Sequence, residues 1–401
     1  MPISPIRANP DEAVGRKKDD EGRWMVHQLT ASSMISNNIY CEQPYSSPDG
    51  QRVAVVRSPD WTLGGDSALL VVDLPSLRIA LIEPLGGCAG VCTSAWREWL
   101  HYWTREERRA VLKRVSLLTF EKEDLYECAP DDERVGTFGS VSPDFRYLVG
   151  PTRLGPQMFG ITRLDIERGA WEVIHEDAEI TNPHVQYNPV TGEDLLIQWN
   201  RGSEMDEEGN WIRNVGPLGT SLYLIDGEGG HRRPLPVGEP WTCGATGHEC
   251  FIADTGRVLF STVDNTQKHP EYAGVTLFIA DPNADKPIPI PADGHIINHV
   301  SVSRCGRFFV CDSYRDGPPG PVPLLVGSIE TGRYCELVES QASCGGPQFT
   351  HPHPYFTADN RHVIYNADPY GVPQVSMKRR CRMGFWSLWR HERRPFSCPA
   401  W

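Results

Sequence analysis

The same short phrase returns along most of this chain: a polar turn built on Asp or Gly, followed at once by an apolar strand. The copies read YSSPDGQRVAVV from Tyr45, VSPDFRYLVG from Val141, YNPVTGEDLLIQ from Tyr187, FIADTGRVLFST from Phe251, VSRCGRFFVCD from Val302 and FTADNRHVIYN from Phe356. WTREERRAVLKRV, from Trp103, reads as a degenerate seventh copy between the first two. Their spacing of roughly 50 residues is the length of one four-stranded propeller blade. Most copies are followed by a second Val-, Ile- and Leu-rich run ending in a polar turn, as in ALLVVDLPSLR, SLYLIDGEGG and PLLVGSIETGRYCEL. That order reads as hairpin after hairpin. Helical spacing is scarce and is strongest over Ala95 to Arg109. Strand following strand, without alternating helices, argues against a parallel α/β sheet. Seven such units closing radially give an all-β, seven-bladed β-propeller of four-stranded antiparallel blades, with only short protected edges. A pair of β-sandwiches or a solenoid is the competing arrangement. The propeller is expected over residues 24–377, after a flexible lead (1–23) and before a basic, Trp-rich tail (378–401).

Charge and composition narrow the partners. The 401 residues carry a formal net charge of -13, which repels polyanions at long range. An anionic substrate then needs a local positive site, built from a metal ion or arginines. No apolar run approaches the roughly 20 residues that cross a bilayer. The first residues, MPISPIRANPDEAVGRKKDDEGR, lack the apolar core of a signal peptide. The expected setting is therefore cytoplasmic, with no membrane and no nucleic acid as partner. Twelve cysteines without a CxxC pair read as reduced thiols. No glycine-rich phosphate loop calls for a nucleotide. The terminal MKRRCRMGFWSLWRHERRPFSCPAW interleaves basic and aromatic residues, as a nucleic-acid or membrane surface does, but is read here as a tail without a partner.

The histidines carry the chemistry. His184, His248, His299 and His353 each fall about six residues before the turn in four consecutive copies. A fixed offset in a repeat is an equivalent place in each unit. In a propeller that place is the innermost strand, so the four converge on the central channel. QFTHPHPYF, from Gln348 to Phe356, adds His351 two residues ahead of His353, on the same face of an extended backbone. Pro352 and Pro354 supply no ladder N–H, fix their own φ near -65° and bias the preceding histidines toward extended geometry. His101, His175, His231, His269, His295, His362 and His391 read as hydrogen-bonded fillers. Imidazoles with a neutral amide oxygen suit manganese, iron, cobalt or zinc, whereas calcium asks for more carboxylates. The ligand set read from this pattern is His299, Gln348, His351 and His353. His248, one blade away, is left free to act as a base.

THPHPYFTADN, with Gln348 ahead of it, resembles the metal motif of the oligogalacturonate lyases. GHECFIADTGRVLFST around His248, NHVSVSRCGRFFVCD around His299 and NPHVQYNP around His184 resemble further segments of that family, in the same order. The similarity runs weakly from Ile39 to Val375 and is most specific in the last three blades. It implies a seven-bladed propeller with Mn2+, or another divalent transition metal, in the channel. It also implies β-elimination of short oligogalacturonides, or related uronate oligosaccharides, to 4,5-unsaturated products. Carried over, His299, Gln348, His351 and His353 match the metal ligands, His248 the catalytic base, and His184 a histidine near the substrate. Two positions depart from the pattern. Ser221 stands where the family has a substrate-binding arginine, and Tyr187-Asn188-Pro189 stands for Tyr-Arg-Pro. Arg213 and Arg201, on the preceding loop, are the candidates to bind substrate instead. The competing readings are a propeller module that binds sugar or protein without chemistry, and a lyase or isomerase of a different uronate.

Overall fold

The recurring turn is held by its own side chains. Ser47 Oγ donates to Asp49 Oδ1 at 2.5 Å, and the same oxygen accepts the Gln51 N–H at 3.0 Å. Ser142, Asp144 and Arg146 repeat this arrangement, as do Thr357, Asp359 and Arg361. A short polar side chain thus closes the turn that joins the first strand of a blade to the second. Gly50 sits there at φ 68°, and a Cβ added to it would lie 2.4 Å from the Asp359 carboxyl group of the last blade. Both the backbone conformation and the blade-to-blade approach require glycine.

The computed structural model describes residues 16–18, 24–61, 66–88, 90–136, 139–292, 294–314 and 322–380. They form seven consecutive antiparallel sheets, and the propeller reading holds. Blade 1 is Ile35–Asn37, Arg52–Ser58, Ala68–Asp73 and Arg78–Pro84. Blade 2 runs from Val91–Thr93 to Lys122–Cys128, and blade 3 from Ser140–Val141 to Ala170–Asp177. Blade 4 runs from Gln186–Tyr187 to Arg233–Pro234 and carries an extra hairpin, Glu204–Met205 with Trp211–Arg213. Blade 5 starts at Ala245–Phe251, blade 6 at Ile297–Val302 and blade 7 at Tyr355–Phe356. The first strands of neighbouring blades lie against one another, which makes them the inner wall of the channel.

The ring closes by pairing the two ends of the propeller. Trp24–Gln28 lies antiparallel to Gln374–Arg380, with His27 opposite Met377, and Arg16–Lys18 adds one more strand outside it. Two expected boundaries therefore move: residues 16–18 are strand rather than flexible lead, and Lys378–Arg380 belong to the last blade rather than to the tail. The rest of the lead and the basic tail after Arg380 lie outside the described residues.

Blade 2 corrects two further readings. The expected helix over 95–109 is replaced by the strand Trp99–Arg105, and the described residues contain only two single 3-10 turns, Pro270–Tyr272 and Gln348–Thr350. WTREERRAVLKRV spans the second and third strands of the blade, Trp99–Arg105 and Ala110–Ser116. The true counterpart of the recurring turn is Ser94-Ala95-Trp96-Arg97, where Arg97 N–H donates to Ser94 O as Gly50 N–H does to Ser47 O. It lacks both Asp and Gly, so the sequence signal was missing while the geometry persisted.

Candidate active site

Register brings the predicted histidines together. His248 and His299 lie on the inner strands of blades 5 and 6, and His184 and His353 immediately precede those of blades 4 and 7. The His299 ring centroid is 4.1 Å from that of His248, 4.3 Å from His353 and 5.3 Å from His351. His184 lies 6.4 Å from His248 on the other side. One ring nitrogen from each of His299, His351 and His353 falls within 4.8 Å of the other two.

Each of these three histidines has one nitrogen engaged and one left over. His299 Nδ1 is 2.6 Å from Asp312 Oδ2, and Asp312 Oδ1 accepts the His299 backbone N–H, all in a fully buried setting. His351 Nε2 donates to Gly345 O at 3.0 Å, and His353 Nε2 to Gln348 Oε1 at 3.3 Å. The remaining atoms, His299 Nε2, His351 Nδ1 and His353 Nδ1, are buried without a partner in the protein. Orphaned buried nitrogens with their opposite edges pinned are what an imidazole ligand set looks like before its ion. The donor set fits a borderline divalent metal. Gln348 sits beside this group on its 3-10 turn, with its oxygen turned to His353.

The HPHP segment is anchored from both sides of the ring seam. Asn38 Nδ2 donates to His353 O at 2.7 Å, Asn366 N–H to Pro352 O at 2.8 Å and Asn366 Nδ2 to His351 O at 3.1 Å. His351 is extended, as its following proline predicts. His353 is not: its φ is 43°, in the left-handed region, and His184 adopts the same value. Two non-glycine residues at equivalent inner positions share a conformation that costs on the order of 1–3 kcal/mol and clusters at functional sites.

Charge follows burial. Burial, then the neighbouring imidazoles, holds His248, His299 and His353 well below the ordinary histidine value, so all three are neutral. Burial also pushes Asp312 up to about 7, although the His299 N–H opposes it. His184 goes the other way. Burial lowers it, but the Glu42 carboxylate 2.8 Å from its Nδ1, with help from Glu249, raises it to about 9.

Tyr40, Glu42, Asp312, Asn38 and Asn366 belong to this site and were not singled out from sequence. Tyr40 comes from the loop after the inner strand of blade 1; its hydroxyl is 2.9 Å from His248 Nδ1, and its ring centroid is 4.5 Å from that of His353. Burial, then nearby carboxylates, keeps the phenol protonated. The one available hint was Asp312, an acid inside the apolar run FFVCD. The two expected arginines are engaged elsewhere. Arg201 is buried and donates to the carbonyls of Leu218, Gly219 and Glu239; Arg213 is exposed, on Gly202 O and Glu204. Both are consumed in fixing the loop around the extra hairpin. Ser221 is likewise spent, donating to Val237 O at 2.7 Å.

No protein-family model matches the chain. An oligogalacturonide lyase of Pectobacterium atrosepticum is 23% identical over 321 residues, spanning 69% of this chain and 74% of the relative. A solved oligogalacturonate lyase in complex with manganese superposes with a TM-score of 0.67 at 20% identity, covering 94% of this chain and 97% of the other. In sequence and in fold the chain is similar to oligogalacturonate lyases. A second such structure, from Vibrio parahaemolyticus, gives a TM-score of 0.64 at 18% identity over 91% and 96% of the two chains. At these identities the structures establish the shared seven-bladed fold.

Proposed function

We propose that this protein is a metal-dependent lyase that cleaves short uronate oligosaccharides, of the oligogalacturonide class, by β-elimination. The observation that carries the reading is the trio of orphaned nitrogens on His299, His351 and His353, beside a neutral His248. Those three histidines, with Gln348 alongside, would hold a divalent ion. The manganese complex of the structural relative supports that metal. When bound, the ion supplies Lewis acidity toward the uronate carboxylate, which makes the neighbouring C5 proton acidic enough to remove. Because the ligands are neutral, they leave the ion's charge available to an anionic substrate.

His248 is the base. With Nδ1 turned to the Tyr40 hydroxyl, Nε2 is the nitrogen that accepts the C5 proton, and its low proton affinity in the free site keeps it deprotonated at neutral pH. The C5 electrons form the C4–C5 double bond as the C4–O4 bond breaks, and the departing oxygen keeps that electron pair and takes a proton from the now protonated His248 or from water. Asp312 and Gln348 keep His299 and His353 in one tautomer and orientation.

A narrower point favours a substrate other than plain oligogalacturonide. Ser221 and Asn188 replace two arginines of the family pattern, Asn188 is used up capping its own turn, and Arg201 and Arg213 are occupied. A less highly charged uronate oligomer fits such a channel. The test is an ultraviolet assay on digalacturonate and trigalacturonate with Mn2+, repeated after chelation and on other uronate dimers. A metal-dependent absorbance rise, from the new conjugated double bond, is expected with at least one of them. No rise on any uronate, with metal bound, would leave a binding module and sink the lyase.

A further inference from the structure

The channel holds a second set of metal-ligating atoms apart from the three histidines. Glu42, His184 and Glu249 each bring one such atom to within 4.8 Å of the others. Glu42 is fixed: Oε1 is 2.8 Å from His184 Nδ1, and Oε2 accepts from Gln186 Nε2 at 3.1 Å. Gln186 also donates to Glu249 O at 2.8 Å, so the loop of blade 1 is cross-braced to blade 5. Glu249 itself is the anomaly. Its side chain is 0% exposed, and neither carboxylate oxygen has a hydrogen-bond partner in the protein. An ionised carboxylate left like that costs several kcal/mol, which is why buried charges are paired or bind metals. Burial, then the Glu42 charge, pushes Glu249 up to about 8.

Two occupants relieve such a group: a shared proton or a cation. A proton shared between carboxylates draws the oxygens to about 2.5–2.7 Å, yet Glu249 has nothing within hydrogen-bond reach. The separation left, beyond that reach but inside 4.8 Å, is one that two bonds of about 2.0–2.5 Å to a single ion span. We propose that Glu42, His184 and Glu249 form a second divalent-cation site, of the mixed carboxylate and imidazole kind that Mn2+ or Zn2+ accepts. Its two carboxylates cancel the charge of the ion, whereas the three imidazoles of the first site leave theirs uncancelled. The second ion is therefore a brace rather than a substrate receptor. It ties the loop carrying Tyr40 and Glu42 to blades 4 and 5 and sets the backbone of His248, the residue before Glu249. His184, assigned by resemblance to the substrate, becomes a ligand.

The test counts metal on the full chain, stripped with chelator and reloaded with Mn2+, by elemental mass spectrometry and electron paramagnetic resonance. Two ions per chain are expected, falling to one in Glu249→Gln and to one in His353→Ala. The resonance spectrum, broadened by two nearby ions, sharpens in either variant. A count of one that His353→Ala abolishes and Glu249→Gln leaves intact overturns the second site and leaves the proposed function standing. A count of one that Glu249→Gln abolishes and His353→Ala preserves upholds the second site and removes the first, on which the lyase reading rests. If Glu249→Gln does not fold, Glu42→Gln must produce the same single loss.

Discussion

The inner strands of blades 1 to 3, Ile35–Asn37, Val91–Thr93 and Ser140–Val141, carry aliphatic and small polar side chains; those of blades 4 to 7 carry or adjoin five histidines and Glu249. The packing differs to match. Most of the buried apolar residues from Leu29 to Leu164 join Tyr355, Ile364, Val375 and Met377 of blade 7 in one continuous cluster. Around the rest of the ring they break into smaller groups, one between each pair of blades. A buried imidazole or carboxylate needs a hydrogen bond or an ion instead of a methyl group beside it, so the polar inner edge interrupts the core. One scaffold thus divides its labour: a quiet arc holds most of the continuous packing, and an active arc holds the chemistry. Tyr40 and Glu42 cross the divide, reaching from blade 1 into the active arc.

Mutations on the two sides should separate activity from stability. The largest effect expected is that of His248→Ala, which lowers the elimination rate by about 10²–10⁴-fold while the Mn2+ count and the melting temperature hold. Full activity in that variant would remove His248 as the base. On the quiet side, Leu112→Ala reverses the pattern. Leu112 is fully buried in the continuous cluster, so its loss costs about 2–5 kcal/mol in urea denaturation, with rate per folded molecule unchanged. A comparable loss of activity would erase the proposed division.

Asp312→Asn sits between these extremes. It keeps the shape but weakens the hold on His299, and should lower Mn2+ affinity about 10–100-fold by calorimetry, with little change in fold. A smaller effect sharpens the quiet side. His101, buried in blade 2 against Phe145, is pushed down to about 3, chiefly by burial. As pH falls below the ordinary value of 6.5 toward about 3, the unfolded chain binds a proton here that the folded chain refuses. Stability drops over that window by about 1.4 kcal/mol per pH unit at most. His101→Phe should flatten this acid limb in denaturation curves taken at successive pH values, and an unchanged slope would refute it. The smallest effect is expected of Arg109→Ala, which removes exposed ion pairs with Glu106 and Glu127. Such solvent-screened pairs contribute little, and a clear loss of stability in urea denaturation would mean that blade 2 depends on its rim.

The sequence by itself determined the class of fold, the number of blades and the radial level of four histidines. It could do so because a repeat maps equal offsets onto equal places, and because the Asp turn is closed by atoms a few residues apart. Where the turn lost its Asp and Gly, at Ser94 to Arg97, that local code fell silent and the blade 2 register was misread. Only the tertiary structure decided which partners meet across the channel. Tyr40 and His248 are 208 residues apart, Glu42 and His184 142, and Asn38 and Asn366 328. No period or motif links them; ring closure does. The left-handed His353 is held across the seam by Asn38, whereas Arg201 and Arg213 are diverted onto nearby loop carbonyls and Glu204 by the local fold of the extra hairpin in blade 4.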